Sequence, residues 1–189
     1  MGGLEMIMAA PIPLVRGEVE RIKEGVPLSL YAIALGSNQP HPLLGRPRDV
    51  LVAAFATLDE APLSLVAASP VIASRPIGPS IRTYANAAAL VETALSPRDL
   101  LDHLKAIEAD YGRKVGGERW RARVLDLDVL LWSGGAFADD ALCVPHREMR
   151  ARSFVLDPLA AIAGDWRDPL TGLYVRHLKA RLDRKAPAA

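Results

Sequence analysis

The chain has 189 residues, half of them hydrophobic and 24% charged, with a formal net charge of +1. That is the composition of one globular domain with a real core, and it excludes a strongly basic nucleic-acid binder or a polybasic membrane anchor. A single cysteine, Cys143, excludes an internal disulfide and suits a reducing cytoplasm, and no apolar stretch reaches the roughly eighteen residues that a membrane helix needs.

Residues 1–28 mix Gly, Pro and charge and are expected to be an extension ahead of the domain. "MGGLEMIMAAPIPLV" has no basic region before its apolar part, and Glu5 interrupts it, so no signal peptide is expected. Met6 stands where a myristoylation motif wants Ser or Thr. "RGEVERIKEG" is compatible with a short helical turn. The domain itself is expected over 29–184, with 185–189 as a tail.

Strong patterning begins at "SLYAIALGSN" (29–38), an apolar run stopped by Gly36 that predicts a buried strand. "RPRDVLVAAFATLDEAP" (46–62) repeats Val50, Leu51, Ala54, Phe55 and Leu58 at helical spacing and closes at Pro62. "LSLVAASPVIAS" (63–74) predicts a strand, with Pro70 marking an edge or a bulge. A Pro/Gly loop (75–83) leads to a third strand, "YANAAALVET" (84–93). "SPRDLLDHLKAIEADYG" (96–112) has Ser96 as N-cap, Pro97 first, Asp99 in the first turn and Gly112 to end it, with Leu100, Leu101, Leu104 and Ile107 inward. A basic loop (113–122) precedes "RVLDLDVLLW" (123–132), the fourth strand. Loop material (133–153), a helix around 154–163 and a solvent-facing helical segment over "TGLYVRHLKARLDRK" complete the chain. The order strand, helix, strand, strand, helix, strand predicts an α+β fold, a ferredoxin-like sandwich with C-terminal helices.

The fourth strand holds an anomaly: Asp126 and Asp128 inside a run of Leu and Val. Residues i and i+2 share a strand face, so the two carboxylates point together, roughly 6–7 Å apart by strand rise, with Leu125, Leu127 and Val129 opposite. Two like charges so close need cations between them. Either both pair with arginines on a solvated face, or they hold divalent metal; hard oxygen ligands suit Mg²⁺, and two such ions can clamp a phosphate under in-line attack. Arg113, Lys114, Arg119, Arg121 and Arg123 lie upstream, and Arg147, Arg150 and Arg152 downstream. Carboxylates for metal and arginines for phosphate oxygens are two halves of a phosphoryl-transfer site, and no P-loop motif is present. Asn86 in "YANAAAL" either presents donor and acceptor to a planar ring or bonds a neighbouring loop. Glu108 borders the buried helical stripe, or pairs with Arg113 at an exposed helix end. Trp120 stacks on a ring or covers the core. His146 donates to a phosphate or is merely exposed. Central strands carrying Ala, Val, Asn and Asp lack the aromatic platforms of an RNA-binding sheet.

In chain order, "ALGSN" (34–38), "RPIGP" (75–79), "YANAA" (84–88), "IEADYGR" (107–113), "ERWRARVLDLDVLL" (118–131), "VPHREMRARSFVL" (144–156) and "DPLTG" (168–172) make the chain resemble the 6-hydroxymethyl-7,8-dihydropterin pyrophosphokinases of folate biosynthesis. The resemblance implies a monomeric, cytoplasmic transferase. It would move the β,γ-pyrophosphoryl unit of ATP to the hydroxymethyl group of the dihydropterin and release AMP, with no nucleic-acid or membrane partner. It implies two Mg²⁺ ions on Asp126 and Asp128, with Arg113 and Arg123 catalytic beside them. ATP would be faced by Glu108, Arg113, Trp120, Arg123, His146 and Arg152, and the pterin by Ser74, Ile77, Tyr84, Asn86, Trp120 and Phe154. Loops 75–83 and 113–123 are expected to close over the ligands. Arg75, Val115, Arg121, Ala122 and Arg147 depart from the family's usual residues; either the cation absent at 115 reappears at 121, or Arg121 points to solvent.

Overall fold

Strand β3 (Ser29–Ser37) is the spine of the molecule, because it is apolar on both faces and both faces are covered. In the computed structural model, which describes residues 22–23, 26–74, 83–112 and 123–185, it pairs antiparallel with β6 (Tyr84–Thr93) on one side and β7 (Asp126–Trp132) on the other. On the far side of β6 lie β4 (Ser64–Ala68) and β5 (Ile72–Ser74), giving a five-stranded antiparallel sheet in which the path β4–β6–β3–β7 runs across the centre. Helices α1 (Pro47–Thr57) and α2 (Pro97–Asp110) cover one face, where Val50, Leu51, Leu100 and Leu104 meet Tyr31, Ile33, Leu35, Leu127 and Val129. Helices α3 (Ser153–Ala163) and α4 (Val175–Lys185) cover the other, where Leu156, Leu159 and Val175 meet Ala32, Ala88, Leu90 and Leu130. The strand–helix order is the ferredoxin-like one expected from the sequence.

Local chemistry explains the boundaries. Ser96 caps α2 by accepting the Asp99 N–H at 3.2 Å, and Gly112, at φ +88°, takes the left-handed conformation that stops it. The run 63–74, expected as one strand, is two: Pro70 has no N–H to give, so the ladder breaks at Ser69–Val71. Ser69, buried at the break, partly replaces it, its Oγ accepting the Ala88 N–H at 2.9 Å. α1 ends at Thr57 rather than 62 because residues 58–62 turn back toward β4.

Three further expectations are corrected. Where residues 16–25 are described, the backbone is not helical: β1 (Ile22–Lys23) pairs with β2 (Val26–Pro27). The 133–153 loop contains a small hairpin, β8 (Phe137–Ala138) with β9 (Cys143–Val144), and one 3-10 turn at Met149–Ala151. α4 is not wholly solvent-facing, since Val175 and Leu178 are buried with the α3 residues. In β7 the register with β3 steps over Leu130, so Leu130 and Leu131 both reach the α3/α4 core; the step lies beyond the two aspartates and leaves their shared face intact.

Candidate active site

The face that α3 and α4 cover continues past their reach. Along β3 the covered position is Ala32, fully buried; the next two on that face, Ala34 and Gly36, are half-exposed although they sit in a central strand. A central strand that sees solvent on one face is the floor of a cleft. Register fixes what lines it: Ala34 lies between Ala88 and Asp128, and Gly36 between Asn86 and Asp126.

Asp126 and Asp128 do share this face, both half-buried, with Leu125, Leu127 and Val129 buried behind them. Their surroundings differ. Asp126 is engaged by the Arg123 guanidinium, three residues upstream. The Asp128 carboxylate has no hydrogen bond or ion pair among the described residues. Among those residues no cluster of three or more His, Cys, Asp and Glu forms a closed metal cage. A half-buried, unpartnered carboxylate beside a second one fits a cation that takes its other ligands from water and phosphate, which is how Mg²⁺ is ordinarily held.

Arg123 is itself held by Asn38, which is only 4% exposed. The Asn38 Oδ1 accepts the Arg123 N–H at 2.7 Å, and the Asn38 N–H donates to the Arg123 carbonyl at 3.1 Å. This two-bond clamp fixes the backbone from which the guanidinium reaches Asp126.

Across the floor, Asn86 is 6% exposed and donates from Nδ2 to Ser74 Oγ at 2.7 Å. Ser74 pairs with Tyr84, so Ser74, Tyr84 and Asn86 stand together on the face that bears the aspartates. Phe154 and Arg152 enter from the start of α3, with the guanidinium carbon 5.9 Å from the ring centroid. His146 is tied by its N–H to the Leu130 carbonyl at 3.0 Å, two residues along β7 from Asp128. Its Nδ1 accepts the Glu148 N–H at 3.2 Å, which leaves the proton of the neutral ring on Nε2 as a donor.

Glu108 is the expected residue that does not join this face. It is fully buried at the outer edge of β7, where its Oε1 accepts the Leu127 N–H at 2.7 Å and the Lys105 ammonium at 2.9 Å; Lys105 also reaches the Leu127 carbonyl at 3.3 Å. Arg150, grouped by sequence with the phosphate-facing arginines, is instead spent on Asp168. Its Nε and Nη2 each donate to that carboxylate at 2.7 Å, and Thr171 Oγ1 adds a bond of 2.6 Å. Asp168 is fully buried; burial alone would raise its carboxyl, but the bonds from Arg150, Thr171 and the Leu170 N–H together hold it below the usual carboxylate range. The pair anchors the turn that leads into Arg152. Ile77, Arg113 and Trp120, the departures at 75, 115, 121 and 122, and most of loops 75–83 and 113–123 lie outside the described residues.

The sequence assigns no role to Asn38, Lys105 or Asp168, and it assigns Gly36 only that of stopping the first strand, which instead runs on to Ser37. The only local signal was polar or small residues closing an apolar strand in "ALGSN", and an Asp opening "DPLTG".

The model of the family described as 7,8-dihydro-6-hydroxymethylpterin-pyrophosphokinase matches residues 32–164. The 2-amino-4-hydroxy-6-hydroxymethyldihydropteridine pyrophosphokinase of Pseudomonas aeruginosa is 45% identical over 139 residues, covering 72% of this chain and 82% of that protein. The protein of the same name from Haemophilus influenzae is 39% identical over 155 residues, covering 81% and 93%. Among solved structures, wild-type Plasmodium falciparum HPPK-DHPS crystallised with pteroate superposes with a TM-score of 0.63 at 12% identity, covering 85% of this chain and 43% of that one. The chain therefore spans less than half the length of that crystallised protein, and the likeness shows the fold.

Proposed function

The chain belongs to the 7,8-dihydro-6-hydroxymethylpterin-pyrophosphokinase family, and from that premise we infer that it transfers a pyrophosphoryl group from ATP to 6-hydroxymethyl-7,8-dihydropterin in folate biosynthesis. The hydroxymethyl oxygen attacks the β-phosphorus, the bond from that phosphorus to the α,β-bridging oxygen breaks, and AMP leaves. The observation that carries the reading is the cleft over β3, with paired carboxylates on one wall and a buried carboxamide on the other.

The roles follow from chemistry. Asp126 and Asp128 would hold Mg²⁺, as two ions, which would supply positive charge to offset the triphosphate and polarise the reacting phosphoryl group. Arg123, Arg152 and the Nε2–H of His146 can supply charge-assisted and neutral donors to phosphate oxygens. Asn86, oriented by Ser74, has the donor and acceptor geometry to read the edge of a flat heterocycle, and Tyr84 and Phe154 offer aromatic surface to its faces. Asn38 and Glu108 support the strand that bears the aspartates. The same reading gives Arg113 a place beside the phosphates, Trp120 one beside both ligands and Ile77 one beside the pterin.

The test is incubation of the purified chain with ATP, Mg²⁺ and the hydroxymethyl dihydropterin. AMP and the pterin diphosphate should appear in equal amounts. ADP in place of AMP, or no dependence on the pterin, would refute the reading.

A further inference from the structure

We propose that Gly36 sets the clearance under the acceptor, and that the width of three strands sets how far the acceptor's recognised edge lies from the metal-bearing wall; this rests on the function just inferred. Asn86, Gly36 and Asp126 are register partners on β6, β3 and β7, so they form one row across the sheet. Neighbouring strands lie about 4.8 Å apart, which puts Asn86 and Asp126 roughly 10 Å from each other, backbone to backbone. A two-ring heterocycle whose far edge bonds to Asn86 must lie over Gly36 to bring its hydroxymethyl arm to the aspartate side.

Nothing in the backbone demands glycine here. Gly36 does not lie in the left-handed region, and a Cβ at this position would meet only ordinary contacts, 3.8 Å from Asp126 Cβ and 3.9 Å from Asn86 Oδ1. The protein without ligand could therefore carry alanine. Glycine within a strand weakens it; Gly36 sits in continuous register with both neighbours, so no bulge accounts for it, and close approach of another molecule is the remaining reason that strand glycines commonly have. The two contacts identify where a methyl would stand: between the group that reads the ring and the group that bears the cation, on the half-exposed side of a central strand.

The experiment compares wild type with Gly36→Ala. Wild-type release of AMP is measured first; its absence would overturn the inferred function and this proposal with it. Given normal wild-type turnover, calorimetry is run with the dihydropterin in the presence of Mg²⁺ and a non-hydrolysable ATP analogue, and separately with the analogue alone. Gly36→Ala is expected to keep or raise the wild-type melting temperature and to keep nucleotide affinity while losing about tenfold or more in acceptor affinity, the effect of one misplaced methyl group in a fitted site. Unchanged acceptor affinity, or equal loss for both ligands, would overturn the proposal. Should the variant fail to fold, the wild-type protein decides: the two Gly36 α-protons should shift by ring current when acceptor is added to the nucleotide-bound protein, and an absence of shift would overturn it.

Discussion

Asp128 presents a half-buried carboxylate that no described side chain neutralises, whereas Asp126 two residues away already has Arg123. The asymmetry makes separate expectations for the two. Asp128→Ala removes a charge without stranding a partner, so stability should hold or rise slightly; Asp126→Ala leaves Arg123 without its carboxylate and should cost a little stability. Both should lose most turnover, about a hundredfold or more if each forfeits several kcal/mol of charge neutralisation in transfer. AMP release over a Mg²⁺ titration, with urea midpoints alongside, checks both halves; near-normal rates at limiting Mg²⁺ would show that the pair does not hold the ions. At this scale the sequence was legible where the rule is local. The shared face of Asp126 and Asp128 follows from period-two geometry alone. Asn38 was not legible, because its partner Arg123 lies 85 residues away and nothing near Asn38 announces the pairing. Arg150 was misplaced for the same reason: a guanidinium bound for phosphate and one bound for a distant carboxylate look alike until the chain is folded.

Among the elements, the strand–helix order was readable because each segment's hydrophobic period and caps sit within it. Ser96, Pro97 and Gly112 bracket α2 as expected. Long-range packing was not: α4 has a strongly polar sequence, yet Val175 and Leu178 find α3. The join between α2 and β7 is the least readable. β7 is the outermost strand, and the Leu127 N–H and carbonyl that no neighbouring strand takes are taken by Glu108 and Lys105. Glu108→Gln keeps an oxygen for that N–H and should stay close to wild type in stability. Glu108→Ala leaves a buried donor unsatisfied and should cost on the order of 1–3 kcal/mol. Urea unfolding of the two variants distinguishes them, and equal destabilisation would mean that the charge, not the acceptor, matters.

At the scale of the whole molecule, the described residues form a sheet with helices on both faces, and each side holds one group whose titration ties stability to pH. On the α1/α2 side Tyr31 is fully exposure-free and donates to the Leu95 carbonyl at 2.8 Å; burial pushes its hydroxyl up to about 12. The unfolded chain loses that proton near pH 10, so this contribution is complete below about pH 10 and drains away as pH rises toward about 12. Near the α3/α4 side Asp168 is held low, so its contribution is complete above the unfolded value of about 4 and is lost as pH falls through the folded one. Arg150→Met should cost about 3–5 kcal/mol at neutral pH by stranding a buried carboxylate, and should make the acid-side loss shallower, because without its guanidinium the Asp168 carboxyl rises toward the unfolded value and the two states differ less in bound protons. Urea midpoints from acid to alkali for both proteins test this; an acid limb that keeps its full depth in the variant would remove Asp168 as its cause.

The bonds from Glu108 and Lys105 to Leu127 also bear on how one molecule meets another. An outermost strand with free amides and carbonyls is a template on which a second chain can add a strand and start an aggregate. Here the middle of that template is occupied from within, at the residue between the two aspartates. An added strand would therefore find the Leu127 amide and carbonyl already taken, on the edge beside the face proposed to hold nucleotide and metal.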